Sequence, residues 1–322
     1  MQGDLQDPRT ILLTKIDVSN SRVEFSDTPI VLLCGGTVKV KERPEDMDPP
    51  IGSLRDAITR SHTPYEIFRP EEIASWQSDG VFKDLMSFEA DLASICSLVV
   101  IILESAGSLV ELGAFSQLPD LSKKIIAIRS SDFRDDISFI NLGILRYIAD
   151  GHHSGVKSYP WTISQPSSIT PEVIEDVVSD IKDELNALKQ SQVLKTTLPS
   201  HIVVLICELV KLFTALKEHE ILEYLTLLHV DVTKEQLRRK LFLLEEFKLI
   251  KKEQYSDSIF YMRSIEPYHK LRWAYRKDSL SKSDTHQDTL RIEVECIDYY
   301  NKDPKHRHRV RAIKQAEQGP KR

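Results

Sequence analysis

Two carboxylates, Glu104 and Glu111, flank a small-residue turn, Ser105-Ala106-Gly107-Ser108, within VVIILESAGSLVELGAF at residues 99–115. Acids gathered this way suit cleavage of a glycosidic bond: one attacks or stabilises the oxocarbenium-like carbon, another manages the leaving group's proton. Val99 to Leu103 reads as a strand and the turn leads into a helix, so both acids sit at the carboxyl end of a strand. Ligands of open α/β sheets bind there, where helix N-termini also point. A structural reading competes, because Ser108-x-x-Glu111 fits a capping box in which the two side chains satisfy orphan amides. Against it, LVELGAF is apolar nearly all round and predicts a buried helix, where a carboxylate without partners or purpose is costly. Gly113 gives up about 1 kcal/mol relative to alanine inside that helix, which fits a close approach to its backbone.

The elements around this segment alternate. Ile30 to Leu33 is a short apolar run ending at Cys34-Gly35-Gly36, Ile51 to Arg60 reads as a helix, and Tyr65 to Phe68 as a strand. A helix around Phe88 to Ile95, the strand 98–103, a helix over 108–117 and a strand from Lys124 to Ile128 follow. Such alternation predicts an α/β fold, a Rossmann-like parallel sheet flanked by helices, over residues 1–150. Residues 151–197 read as a linker and a long helix, capped by Thr170, whose stripe Val173, Val177, Ile181, Leu185 and Leu188 needs a partner. His152 to Ser168 looks irregular, and no ligand set at metal spacing accompanies His152-His153, which reads as a solvated pair.

Over 198–265, three helical patterns (Ile202 to Lys217, Glu218 to His229, Lys234 to Phe247) precede a β-hairpin at 249–262. Three helices and a two-stranded ribbon predict an α+β winged helix-turn-helix domain. Residues 266–322 hold one more helix and a basic, proline-broken tail that reads as mobile when alone. Lys234, Arg238, Arg239, Lys251 and Lys252, with Arg307 and Arg309 in the tail, are the candidate nucleic-acid-binding residues. Nearby Glu235, Glu245 and Glu253 dilute that patch, and a solvated helix face is the competing reading.

Composition is that of an ordinary globular protein: 322 residues, 41% hydrophobic, 29% charged. A net charge of −6 argues against indiscriminate nucleic-acid binding by the whole chain. Cys34, Cys96, Cys207 and Cys296 are widely spaced without a CxxC pair, and the longest apolar run, Leu98 to Leu103, is far short of a membrane span. A reduced, cytoplasmic setting without membrane association is the expectation.

SxxELGAF after an apolar strand, together with the early LCGG loop, resembles the nucleoside 2-deoxyribosyltransferase family, whose nucleophilic glutamate stands in an ELG context at a helix start. The resemblance implies a deoxyribosyltransferase-like first domain with Glu111 as nucleophile. It implies ligand-site acids at Glu89 and Asp91, in EADLASI, and a ligand-site asparagine at Asn141, in FINLG. In family members that asparagine reaches a neighbouring subunit's sugar, which implies a homodimer or higher assembly. Glu89 or Asp91 would hold sugar hydroxyls or manage the base's proton, and Glu104 would orient at the strand end. Cys34, Gly35, Gly36 and Ser108 would complete the substrate-binding set, with a phosphate on the amides after Cys34. The plainer reading makes Glu89 and Asp91 helix-start acids and Gly35-Gly36 an ordinary turn.

LCGG, IFRPEEI, ILESAGSLVELGAFSQ and SFINLGILR, followed by a winged-helix half, are similar to bacterial retron effectors over roughly residues 28 to 265. That resemblance implies partnership with a retron reverse transcriptase and its multicopy single-stranded DNA, and a toxic activity released during phage attack. The implied reaction is hydrolysis of a nucleotide's N-glycosidic bond, with NAD⁺ as leading substrate and no resident cofactor. The competing function is a ligand-sensing DNA-binding regulator whose first domain does not catalyse. A phosphoribohydrolase with a GGxGTxxE loop ranks below both, since that loop is absent.

Overall fold

Helix α1 (Pro8–Lys15) and strand β1 (Arg22–Glu24) open the chain, ahead of the alternating region that the apolar runs predict. That region contains β2 (Ile30–Cys34), α2 (Leu54–Arg60), β3 (Glu66–Phe68), α3 (Leu85–Ile95), β4 (Leu98–Ile102) and α4 (Ala106–Phe115). It continues with β5 (Ile125–Ser130), a π-helical turn at Ile140–Leu145, α5 (Arg146–Gly151), β6 (Val156–Tyr159) and α6 (Pro171–Ala187). The computed structural model describes residues 6–41, 43, 45, 47–276 and 289–318.

Five parallel strands form one sheet in the order β3-β2-β4-β5-β6. All residues of β2 and β4 are buried, which is why their sequences are continuous apolar runs instead of alternating ones. Val31, Leu33, Val100, Ile102, Ile126 and Ile128 face α2 and α6, packing on Leu54, Ala57, Ile58, Val173, Val177 and Ile181. The partner that the α6 stripe requires is therefore within the chain. Alternate residues, Leu32, Cys34, Val99 and Ile101, turn to the opposite face with the strand pleat, the side of α3 and α4. Strand order reverses between β2 and β4, so the crevice outside their carboxyl ends is a topological switch point, where such sheets bind ligands.

The domain limits differ from the expected ones. The sheet unit runs Asp27–Leu188, and Met1–Ser26 joins Lys189–Arg322 in a second unit. The reading of 152–168 as irregular missed β6, because a four-residue half-buried strand, VKSY, carries almost no apolar signal. The first residues move to the second unit because β1 is the central strand of a small antiparallel sheet. Its neighbours are β7 (Ser191–Val193) and, further on, Lys270–Arg272.

The second unit continues with α7 (Pro199–Leu212), β8 (Ala215–Leu216), α8 (Glu218–Leu227), α9 (Lys234–Glu246), β9 (Ile250–Tyr255) and β10 (Ser258–Arg263). The three helices and the hairpin stand where the sequence puts them, and β8 adds an edge to the hairpin, giving the order β8-β10-β9. After β11 (Lys270–Arg272) come α10 (Thr289–Lys302) and α11 (Arg307–Gln318). The basic stretch expected to be mobile is thus largely helix, because α11 has an inward side. Arg309 there is 3% exposed and reaches Glu220 of α8.

Glu220 organises this unit. It accepts from Arg9 Nη1 at 2.8 Å, from Arg309 Nη2, and from the Lys217 amide at 2.8 Å. The Arg309 guanidinium lies 4.7 Å from the Tyr300 ring centroid and that of Arg9 5.3 Å from it. Burial works to raise the Glu220 carboxyl, but the charges of Arg309 and Arg9 outweigh it and hold the group down at about 2. A carboxyl depressed in the folded state stabilises fully above its ordinary value, near 4.5, and that stability is lost as pH falls towards about 2. Glu220→Gln leaves the buried Arg309 guanidinium without a countercharge, while Arg9 keeps Asp7 at 2.7 Å, and is expected to cost about 3–5 kcal/mol, read by urea denaturation at neutral pH.

Candidate active site

The chain leaves β4 through Leu103 and reaches Glu104, whose carboxylate is fully engaged. Oε1 accepts the amides of Gly36 and Arg55, both at 3.0 Å, and Oε2 accepts that of Leu54 at 2.9 Å. Two of these amides open α2, where unpaired donors favour an anion, so Glu104 ties the ends of β2 and β4 to that helix start. A Cβ at Gly36 would lie 2.9 Å from Glu104 Cγ and from Ser53 Cβ. The glycine is thus explained by an internal close approach. Of the amides after Cys34 expected to receive a phosphate, that of Gly36 is taken by the protein's own carboxylate, so Glu104 braces the loop.

Helix α4 starts two residues earlier than expected. Ser105 is its cap: Ser105 Oγ accepts from the Ser108 amide at 3.1 Å, and Ser108 Oγ accepts from the Ser105 amide at 3.2 Å. The capping box is Ser105 with Ser108, not Ser108 with Glu111, so Ser108 is spent on the helix and Glu111 has no amide to cap. The helix is also not buried all round, since Val110 is 72% exposed. Gly113 is not explained by a close approach, because a Cβ there would meet only Ile144 Cδ1, at 3.9 Å.

Glu111 points towards the end of β2, where the Cys34 thiol donates to it and Arg55 supplies a positive charge. Its Oε2 is buried with no hydrogen-bond partner among the described residues. Burial raises the Glu111 carboxyl against Arg55 and the thiol. Glu89, 9% exposed on α3, is pushed up to about 7 by burial and then by the negative charges of Glu111 and Glu71. Asp84 caps α3, so Glu89 is not a helix-start acid. Asp91, two residues on, lies about 200° around the helix and cannot share that face.

Arg55 and Glu71 belong to this cluster and were missed. Arg55 donates to the Leu33 carbonyl at 3.0 Å, to that of Gly36 at 3.3 Å, and to Glu71 Oε2 at 2.7 Å. Burial works to raise Glu71, but the Arg55 hydrogen bond, a backbone hydrogen bond and the charges of Arg55 and Arg69 together hold the group low. The one available signal was an arginine inside the apolar stripe Leu54, Ala57, Ile58, where a lone cation needs buried acceptors. One guanidinium serving three carboxylates yields a desolvated carboxylate oxygen beside a group that gains and loses a proton near neutrality. That is the combination a nucleophile and an acid–base partner require.

Residues 52–252, more than half of the chain and including every one of these acids and Arg55, match the family described as STM3845 retron effector protein. The chain belongs to this retron effector family. Two Escherichia coli proteins are similar over shorter stretches. One is from retron Ec86, 37% identical over 37% of this chain and 36% of its own length. The other is from retron Ec73, 36% identical over 23% of each chain. Both names propose a ribosyltransferase/DNA-binding protein. The matches thus cover little more than a third of those relatives at most.

Other predicted site residues of this retron effector lie elsewhere or are engaged. Asn141 accepts from Arg129 at 2.6 Å and donates to the carbonyls of Phe133 and Asp136, both at 2.8 Å, so its amide fastens its own loop. Lys234 and Arg238 are exposed but share Glu218, at 3.8 and 3.0 Å, and Lys252 meets Glu245 at 3.8 Å. Arg239 is half-buried, Lys251 and Arg307 are exposed, and Arg309 is a core residue unable to meet a phosphate. His152 is not a solvated partner of His153 but bonds Glu184 at 3.1 Å. No helix among the described residues is long and apolar enough to cross a membrane.

The cluster predicts opposite responses to two substitutions. In carboxyl-resolved NMR titrations, Glu111→Gln should lower the Glu89 midpoint from about 7 by removing a negative neighbour, and Arg55→Gln should raise it. Glu104→Gln weakens charge-assisted bonds to three amides and should cost about 1.5–3 kcal/mol in thermal unfolding.

Proposed function

We propose that this retron effector is an N-glycosidase acting on a nucleotide, with Glu111 as nucleophile, Glu89 as acid–base group and NAD⁺ as first candidate substrate. The observation that carries the reading is the buried, unpartnered Oε2 of Glu111 beside Glu89 at the switch point of the sheet. The relatives' names, each proposing a ribosyltransferase/DNA-binding protein, support it. A Glu111 oxygen bonds to C1′ as the C1′–N bond breaks, and the bonding pair passes to the base nitrogen. Nicotinamide leaves NAD⁺ neutral without a proton, whereas a purine takes one from Glu89. Water then attacks C1′, gives its proton to ionised Glu89 and frees Glu111. Arg55 positions this chemistry by favouring the anionic form of Glu111 against burial.

The second unit supports a docking role. The order α7-β8-α8-α9-β9-β10 supports reading this unit as a winged helix-turn-helix, and we assign it to holding the retron's reverse transcriptase and multicopy DNA. In this reading the complex restrains the sheet unit until phage attack. The engagement of Asn141 within its own loop removes that residue as a reason for a dimer.

Chromatography of NAD⁺ and deoxynucleotide mixtures after incubation tests the reading. Glu111→Gln should reduce base release roughly a thousandfold or more and remove toxicity in cells while the fold persists. Unchanged toxicity in a folded Glu111→Gln variant would falsify catalysis by this glutamate. Tight binding without released base would mark the competing sensor. With a purine deoxynucleotide, kcat/KM should fall as pH rises through about 7, whereas with NAD⁺ it should not.

A further inference from the structure

We propose that the solvent face of α11, continued along β9, is a docking surface for the sugar–phosphate backbone of a nucleic acid. Arg307, Arg311 and Lys314 stand at i, i+4 and i+7, which places them on one helix face, and all three are exposed. The helical rise sets them about 6 and 4.5 Å apart along the axis, so successive side chains can meet neighbouring phosphates of one strand. The helix carrying them is held from beneath: Arg309 points inward to Glu220, and Gln315 donates to Glu253 of β9 at 3.5 Å. Arg311 donates to the Tyr255 hydroxyl at 3.0 Å. Lys251 lies on the same face of β9 as Glu253 and Tyr255, by the two-residue period of a strand.

Charge pairing separates this face from α9. Lys234 and Arg238 share one carboxylate, Glu218, which halves their charge, whereas Arg307, Arg311, Lys314 and Lys251 make no ion pair among the described residues. The nearby acids are Glu317, Glu253, held by Gln315, and Asp257, which faces His308 at 3.8 Å. Aromatic groups are interleaved with the cations: Tyr255 and His308 have ring centroids 5.6 Å apart, and Arg311 lies 5.9 Å from the Tyr255 centroid. Cations alternating with stacking surfaces fit a nucleic acid better than an acidic peptide, which has no base to stack. The choice of occupant rests on the retron-docking reading above; the location does not.

The test uses the full chain and a fluorescent stem–loop DNA of arbitrary sequence, with anisotropy recorded across a salt series. Arg307→Gln with Arg311→Gln and Lys314→Gln should flatten the log–log salt slope by about 2.7 and weaken binding, with Glu111-dependent activity unchanged. Lys234→Gln with Arg238→Gln should change the slope less. An unchanged slope in the triple variant with binding intact overturns the location. Failure of the wild-type chain to bind DNA, or capture of polyglutamate in its place, overturns the nucleic acid as occupant and leaves the glycosidase reading to its own assay. Should the triple variant not fold, Lys314→Gln alone should still flatten the slope by about 0.9.

Discussion

A single carboxylate holding three backbone amides is the constraint on which the sheet unit depends. Glu104 joins the first residues after β4 to the glycine loop after β2 and to the first turn of α2. The bonds are charge-assisted and satisfy donors that a short helix leaves open. Because Arg55 is one of those first residues, fixing its amide also fixes where its side chain leaves the helix. Removing the brace would release the only guanidinium that faces Glu111, Glu89 and Glu71 together among the described residues.

The consequence of that placement is electrostatic. Three acids around one cation cannot all ionise easily in a partly desolvated crevice, and the asymmetry of their surroundings decides which does. Glu71 is half-exposed and directly bonded to Arg55, so it carries its charge readily. Glu111 has the thiol and the charge of Arg55 in its favour; Glu89 has only the latter, at lesser weight, and shares its proton with solvent near neutrality. The division of labour between an attacking oxygen and a proton carrier arises from geometry alone, since both groups are glutamates.

The second unit uses the same chemistry to a structural end. Glu220 also accepts a backbone amide at a helix start, but its other partners are two arginines from opposite ends of the chain. With two guanidinium groups against it, the carboxyl falls to about 2 and carries a fixed charge at every physiological pH. A carboxylate gripped by two guanidinium groups makes a lock, and three acids around one cation make a proton-exchanging site.

Much of this was legible in order and not in detail. The apolar runs at 30–33, 98–103 and 124–128 determined a parallel sheet, because strands covered on both faces must be hydrophobic throughout, and ELG after such a strand marked Glu111. The hairpin and three helices of the second unit were equally plain from periodicity. Periodicity could not show β6, whose half-buried VKSY has no pattern, or which serine capped α4, since Ser105 and Ser108 are chemically equivalent. Glu104, Arg55 and Arg309 took their roles from partners 16 to 89 residues away. Sequence by itself determined which residues could ionise; the tertiary structure decided which of them met a countercharge, and that decides what a carboxylate does.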